Sequence, residues 1–248
     1  MLRRVLVLGP AVAAVALATI LPVAHAQAAP PTTAEVTKTW LADCAVCHGR
    51  DGRGTFRAPS LEGRGAATVD YELTTGRMPL PATASSTAKV KRHKPAYDAA
   101  TITALTDYVT TLTGGGPAIP SVDLTHADVA KGGEQFRLQC AACHAWAGDG
   151  GALLHREAPA LHASTPVQVA EAVRVGPGVM PAFGQAALDD QQLADVVAYV
   201  RYLDKPKDRG GNSLWHLGPM PEGAVAWVLG IGFLLLVTAW IGEREPKA

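Results

Sequence analysis

The pattern that most constrains this chain is a pentapeptide that occurs twice, as Cys44-Ala45-Val46-Cys47-His48 and as Cys140-Ala141-Ala142-Cys143-His144. Together the two copies use all four cysteines of the 248 residues. On one helical turn, two thiols of C-x-x-C can meet the two vinyl groups of a haem, and the adjacent His can reach the iron as proximal ligand. Competing uses of the same residues fit less well. A disulfide framework leaves both histidines unexplained. A zinc site built from two C-x-x-C halves usually separates them by roughly 15–20 residues, far less than the distance from Cys47 to Cys140. Thioredoxin-like chemistry needs alternating strands and helices around the motif, and that alternation is missing. The expected cofactors are therefore two covalently bound haems c, attached through Cys44 and Cys47 and through Cys140 and Cys143.

The repeat extends well beyond the cysteines, as expected of a duplicated supersecondary unit. Trp40 and Phe136 each lie four residues before the first Cys, on an expected amphipathic helix. Thr32 with Glu35 offers a capping-box start for the first copy, and Thr125 with Asp128 a weaker one for the second. Downstream, Ala58-Pro59-Ser60-Leu61 is echoed by Ala158-Pro159-Ala160-Leu161. A proline carbonyl there can accept the imidazole N–H and fix the ring, the support that metal-bound histidines usually require. Each copy should close with a helix. Leu105, Val109 and Leu112 share a face after Asp98; Leu193, Val196, Val197, Val200 and Leu203 share one after Asp189. Gly114 should stop the first of these helices.

A c-type iron takes a sixth ligand, and a Met thioether there raises the potential. Met78 in Gly76-Arg77-Met78-Pro79 and Met180 in Gly178-Val179-Met180-Pro181 occupy matching places, so His48 and Met78 are expected on one iron and His144 and Met180 on the other. Met220 reads as linker. His93, His155 and His162 compete as ligands, but none has a counterpart in the other copy, so they read as surface histidines. The run Lys89 to Lys94 reads as a solvated loop, with a docking patch for an acidic partner as the alternative.

Both ends of the chain are apolar. Val5 to Ala24 and Gly223 to Gly242 carry no charge, and each is close to the roughly 20 residues that span a bilayer. Arg3 and Arg4 before the first run, and Ala24-His25-Ala26 after it, give it the grammar of an export signal, with a retained anchor as the alternative. The second run reads as a transmembrane helix with Trp227 and Trp240 near opposite interfaces. With 22 basic residues against 22 acidic ones, the chain lacks the excess that nucleic-acid binding demands. The expected division is therefore 1–28 signal peptide or anchor, 32–114 first haem domain, 115–124 linker, 125–204 second haem domain, 205–222 tether, 223–242 transmembrane helix and 243–248 cytoplasmic tail. Both haem domains should lie on the extracytoplasmic side of the cell membrane.

The order of signal, first C-x-x-C-H, Gly-Arg-Met-Pro (76–79), Gly-Gly-Gly-Pro (114–117), second C-x-x-C-H and Gly-x-x-Met-Pro, followed by Gly218-Pro-Met-Pro-Glu-Gly223, resembles the dihaem cytochrome c subunit of the actinobacterial-type cytochrome bc complex, a menaquinol:cytochrome c oxidoreductase. The resemblance covers nearly the whole chain. It implies a mainly α fold of two tandem class I cytochrome c-like domains and a C-terminal transmembrane helix. It also implies partners: cytochrome b, the Rieske iron-sulfur protein as donor, and a haem-copper terminal oxidase as acceptor, in a hetero-oligomeric, dimeric supercomplex. Carried over, Cys44, Cys47, His48 and Met78 serve one haem and Cys140, Cys143, His144 and Met180 the other, with no independent substrate turnover. Pro81 to Lys94 matches none of the family's motifs. Three other readings remain open: a cytochrome subunit of another membrane oxidase or dehydrogenase, a dihaem peroxidase, and a structural secreted protein with two disulfides.

Overall fold

The computed structural model describes residues 29–81, 83–84, 90–153, 156–207, 214 and 219–243. The N-terminal apolar run, Lys89, His155 and the residues after 243 lie outside them. The described fold is mainly helical. In chain order it comprises α1 (Thr33–Thr39), a π-helical turn (Trp40–Cys44), α2 (Ala45–His48), α3 (Gly65–Thr74), α4 (Ala99–Leu112), α5 (Val129–Gln139), α6 (Ala141–His144), β1 (Gly151–Leu153), β2 (Arg156–Ala158), α7 (Pro166–Val175), α8 (Asp190–Leu203) and α9 (Pro219–Gly242). The two strands form a small antiparallel hairpin, with Gly151 opposite Ala158, that no sequence pattern announced.

Helix starts follow local chemistry. Thr32 and Glu35 complete the capping box of α1, and Asp189 with Gln192 completes that of α8, so exposed N–H groups of the first turn find acceptors. Asp98 caps α4 by accepting the Thr101 N–H. The expected start of α5 needs correction. Thr125 is bound to Asp123, and Asp128 is itself the cap, accepting the N–H groups of Ala130 and Lys131. A single aspartate with two donors in reach outcompetes a box whose acidic partner would already sit at the helix entrance. Gly114, at φ 80°, ends α4 as expected, and the Gly115 N–H reaches back 2.9 Å to the Thr110 carbonyl.

Two apolar clusters organise the described chain. The first gathers Val36, Leu73, Ile102 and Leu105, with Met78, Tyr97 and Tyr108 against it. The second gathers Phe136, Val169, Val173, Leu193, Val196, Val197 and Val200 among its buried members, with Cys140, Met180 and Phe183 against it. Trp40 and Phe136 are both fully enclosed, and each ring meets the Tyr at the matching place of the closing helix, Trp40 on Tyr108 at 6.2 Å and Phe136 on Tyr199 at 5.3 Å. Such tilted contacts add to area burial worth about 1.5–3 kcal/mol per large side chain. Leu112, by contrast, lies at the frayed end of α4 and is 36% exposed, so the apolar face of that helix is shorter than its spacing suggested.

Helix α5 crossing α8 is the most extensive helix pair. Gly132 permits it, because a Cβ there would stand 1.9 Å from the Asp195 carbonyl oxygen. The chain between the clusters is packed too. The Ala67 N–H donates to the Pro117 carbonyl, and Val122 and Leu124 pack on the second cluster. Among the described residues, one helix is long and apolar enough to cross a membrane, Met220–Gly242. Helix α9 begins at Pro219, earlier than expected, and takes in Met220, which is therefore helix and not linker.

Candidate haem sites

Each C-x-x-C-H segment ends a helical stretch whose aromatic anchor is buried, and this fixes the orientation of the thiols. In the first copy a π-helical turn carries Trp40 through Cys44. The extra residue of such a turn re-aims the following side chains, a device common at functional sites. In the second copy α5 runs regularly up to Gln139, and Cys140 caps it. All four thiols are free, so the disulfide alternative is not formed. Burial, then the neighbouring Asp43 and Cys47, pushes the Cys44 thiol up to about 12. Burial and Cys143 push Cys140 up to about 11. Neither is the acidic, exposed thiol of a cysteine nucleophile.

The histidines that follow are held identically. His48 Nδ1 lies 2.9 Å from the Pro59 carbonyl and His144 Nδ1 lies 2.9 Å from the Pro159 carbonyl. A carbonyl only accepts, so Nδ1 carries the proton and donates in both copies. That tautomer leaves Nε2 with its lone pair free for a metal. The surrounding loops repeat as well. After each His the chain turns through positive φ, at Gly49 (80°) and Ala145 (63°). The Gly54 N–H then bonds the His48 carbonyl at 2.7 Å, and the Gly150 N–H bonds that of His144 at 2.9 Å. The Leu61 N–H reaches Gly52, and the Leu161 N–H reaches Gly148, both at 2.8 Å.

One element of this frame changes polarity between the copies. Arg53 pairs with Glu62 at 3.3 Å in the first loop, whereas Asp149 pairs with His162 at 3.0 Å in the second. His162 also reaches Asp204 at 3.0 Å through its other ring nitrogen, so when protonated it donates to a carboxylate from both nitrogens. Arg201 and Lys205 lie alongside it. His162 is thus a clip between the loop and the end of α8, a role its lack of a counterpart concealed. Burial alone would lower its pKa, but the Asp204 and Asp149 carboxylates outweigh burial and move it above the ordinary 6.5. The stability it contributes is therefore full below that value and fades as pH rises through the folded-state pKa. His162→Gln should lower the melting temperature near pH 6 and leave it nearly unchanged in alkaline buffer. An equal loss at both, in thermal melts of the haem-loaded chain, would contradict the clip.

Met78 packs on the first cluster and Met180 on the second, which Cys140 and Phe183 also touch. Cys140, Val173, Phe183, Leu188 and Val196 also line an apolar cleft. Two thiols, an imidazole with Nε2 open and a thioether on the adjoining core form a donor set that suits a covalently held haem. Of the rival histidines, His93 is exposed, and its backbone N–H donates to the Thr75 carbonyl. The basic run is not simply solvated. Arg92 reaches Ser164, the Ala163 carbonyl and Gln168 at 3.2, 2.7 and 2.8 Å, tying residues 90–94 to the start of α7.

Residues 127–200 match the family described as cytochrome C oxidase, cbb3-type, subunit III. The cytochrome bc1 complex cytochrome c subunit of Mycobacterium tuberculosis is 36% identical over 212 residues, 82% of this chain and 74% of the relative. That of Corynebacterium diphtheriae is 35% identical over 221 residues, 82% of this chain and 77% of the relative. A cytochrome c6 from Leptolyngbya boryana is 41% identical over 83 residues, covering 32% of this chain and 94% of its own length. A cytochrome c domain carries covalent haem c, the cofactor that both cysteine pairs suit. With that likeness running through most of both sequences, this chain is a member of the family of cytochrome bc1 complex cytochrome c subunits.

Proposed function

We propose that the chain is the membrane-anchored electron-relay subunit of a quinol:cytochrome c reductase, passing electrons from a Rieske iron-sulfur protein through two covalent haems c to a haem-copper oxidase. The observation that carries this reading is the matched His–Pro clamp in both copies, at 2.9 Å each, within a chain of the bc1 cytochrome c family. When bound, haem supplies reversible one-electron chemistry at potentials set by its ligands and burial. Cys44 and Cys47 hold one haem and Cys140 and Cys143 the other. His48 and His144 would offer Nε2 to the irons and Met78 and Met180 their thioethers, while the proline carbonyls keep each imidazole in one orientation.

Filled coordination suits transfer of electrons better than turnover of a substrate, so the chain's share in the enzyme is relay. The haem domains, 32–114 and 125–204, stand on the extracytoplasmic side, held there by α9, with the C-terminus in the cytoplasm. Cytochrome b completes the immediate assembly, joined to the oxidase in a dimeric supercomplex.

Mild-detergent purification through a tag on this chain, followed by reduced-minus-oxidised spectra, tests the proposal. Co-isolation of b-type haem, a Rieske centre and quinol-dependent oxygen uptake is expected. The family description that matches 127–200 favours a second reading, a cytochrome subunit of an oxidase without a bc complex. Oxidase haems isolated without a Rieske centre and without quinol-dependent oxygen uptake would select it.

A further inference from the structure

Helices α3 and α7, one from each copy, pack on each other. Both have ten residues, and Asp70 is the sixth of α3 as Glu171 is the sixth of α7. The Gln168 side-chain amide, near the start of α7, donates to the Thr74 carbonyl, so the start of α7 lies at the end of α3. Equivalent helices crossing in this way form an isologous contact, in which a residue near the axis meets its own counterpart. Here the residues that meet are both acids.

Glu171 is fully buried, and neither of its carboxyl oxygens has a hydrogen-bond partner among the described residues. Asp70 is half-buried and faces it. Two ionised carboxylates only accept, so they offer each other nothing; one proton turns either into a donor. Burial, then the charge of Asp70, pushes the Glu171 carboxyl up to about 9, and burial raises Asp70 too.

The neighbouring charges do not supply a counter-ion. No basic side chain is ion-paired with either acid among the described residues: the Arg77 guanidinium lies over the Tyr71 ring at 4.8 Å with a buried Nη1 that has no hydrogen-bond partner, and the Glu72 carboxyl is buried with one oxygen unpartnered. Arg92 spends its donors on Ser164, Ala163 and Gln168. Behind α7, α8 commits Asp195 to the Asp128 N–H and Arg201 to Asp204, and behind α3, Asp107 of α4 is exposed.

We propose that Asp70 and Glu171 form a proton-binding site on the axis between the two copies, holding one proton between two carboxyl groups as an O–H···O bond. The proton comes from bulk water and returns to it, and while bound it fastens α3 to α7. When both acids ionise in alkaline solution the helices repel, and the contact between the copies loosens. A carboxyl whose pKa rises on folding makes the native state bind more protons than the unfolded one, so stability falls as pH climbs from the ordinary carboxylate value to the raised one.

The test uses the full-length, haem-loaded chain in detergent. Infrared spectra near pH 7 should show a protonated-carboxyl C=O stretch that Glu171→Gln abolishes, because Asp70 then ionises against an amide donor. Asp70→Asn should shift that band, since Glu171 keeps its burial but loses its partner. Melting provides the second readout: Glu171→Gln should raise the melting temperature at about pH 8 and give a smaller gain at about pH 4. A wild-type spectrum with no band sensitive to either substitution, or a Glu171→Gln chain less stable than wild type at both pH values, would overturn the proposal. Should Glu171→Gln not fold, the Asp70→Asn spectrum decides alone.

Discussion

Replacing Cys140 and Cys143 together with Ala will halve the covalent haem per chain and melt the second half of the molecule while the first keeps its c-type spectrum. The attachment chemistry is local, since each cysteine pair lies on its own helical turn with its own His–Pro clamp. The structural loss is larger than the loss of two sulfurs. Cys140 stands against the cluster of Phe136, Val169, Val173 and Val197, and with Val173, Phe183, Leu188 and Val196 it lines the apolar cleft beside them. A vacancy in a packed core costs ~2–5 kcal/mol for one large side chain, and a macrocycle fills the space of several. Several such losses together are of the size of the whole stability of a small domain, about 5–15 kcal/mol. Pyridine-haemochrome absorbance per mole of chain reads the first part, and loss of near-ultraviolet dichroism from Phe136 and Tyr199 reads the second. Full haem content in this variant would remove the second attachment site from the proposed function.

Gly132→Ala is the second large effect, and it should cost about 3 kcal/mol or more of stability without touching any proposed ligand. Its added methyl group would meet backbone, the carbonyl of Asp195 at 1.9 Å, and neither helix can turn a side chain aside to make room. Helices α5 and α8 must separate. Separation pulls Phe136 from Tyr199 and the Asp195 carboxylate from the Asp128 N–H, which it holds at 2.8 Å. Denaturant unfolding of the haem-loaded chain measures the loss directly. The first copy provides the internal comparison, because Val36 occupies the corresponding place and packs into its cluster. Val36→Ala should therefore cost less, about 1–2 kcal/mol, through lost burial instead of collision.

The parts of the fold that are decided within a few residues were legible from sequence. Caps at Thr32, Asp98 and Asp189, the anchors Trp40 and Phe136, and the proline carbonyls over the two histidines all follow from short-range chemistry repeated at matching places. What escaped depends on how distant segments meet. Nothing near Arg92 indicates that its donors belong to Ser164 and Gln168, more than seventy residues away. Glu171 reads as one of several charges on an amphipathic helix until α3 covers it. Leu112 has the right spacing for the core but falls where α4 runs out of neighbours. His162 has no histidine opposite it in the other copy, yet the contact it makes does have a counterpart, written with opposite charges.

That reversal has a bearing on how a duplicated chain finds one fold. Two loops with the same hydrogen-bond frame compete for two similar proline arms, and backbone geometry cannot sort them. Charge can. In the native arrangement Arg53 faces Glu62 and Asp149 faces His162; in an exchanged arrangement Arg53 would face His162 and Asp149 would face Glu62, two repulsions in place of two attractions. Exposed pairs are each worth less than about 1 kcal/mol, but exchange forfeits both and adds two penalties. Copies that kept identical charges after duplication would lack this bias, so opposite polarity gives each loop an address and discourages the strand exchange by which tandem repeats misassemble.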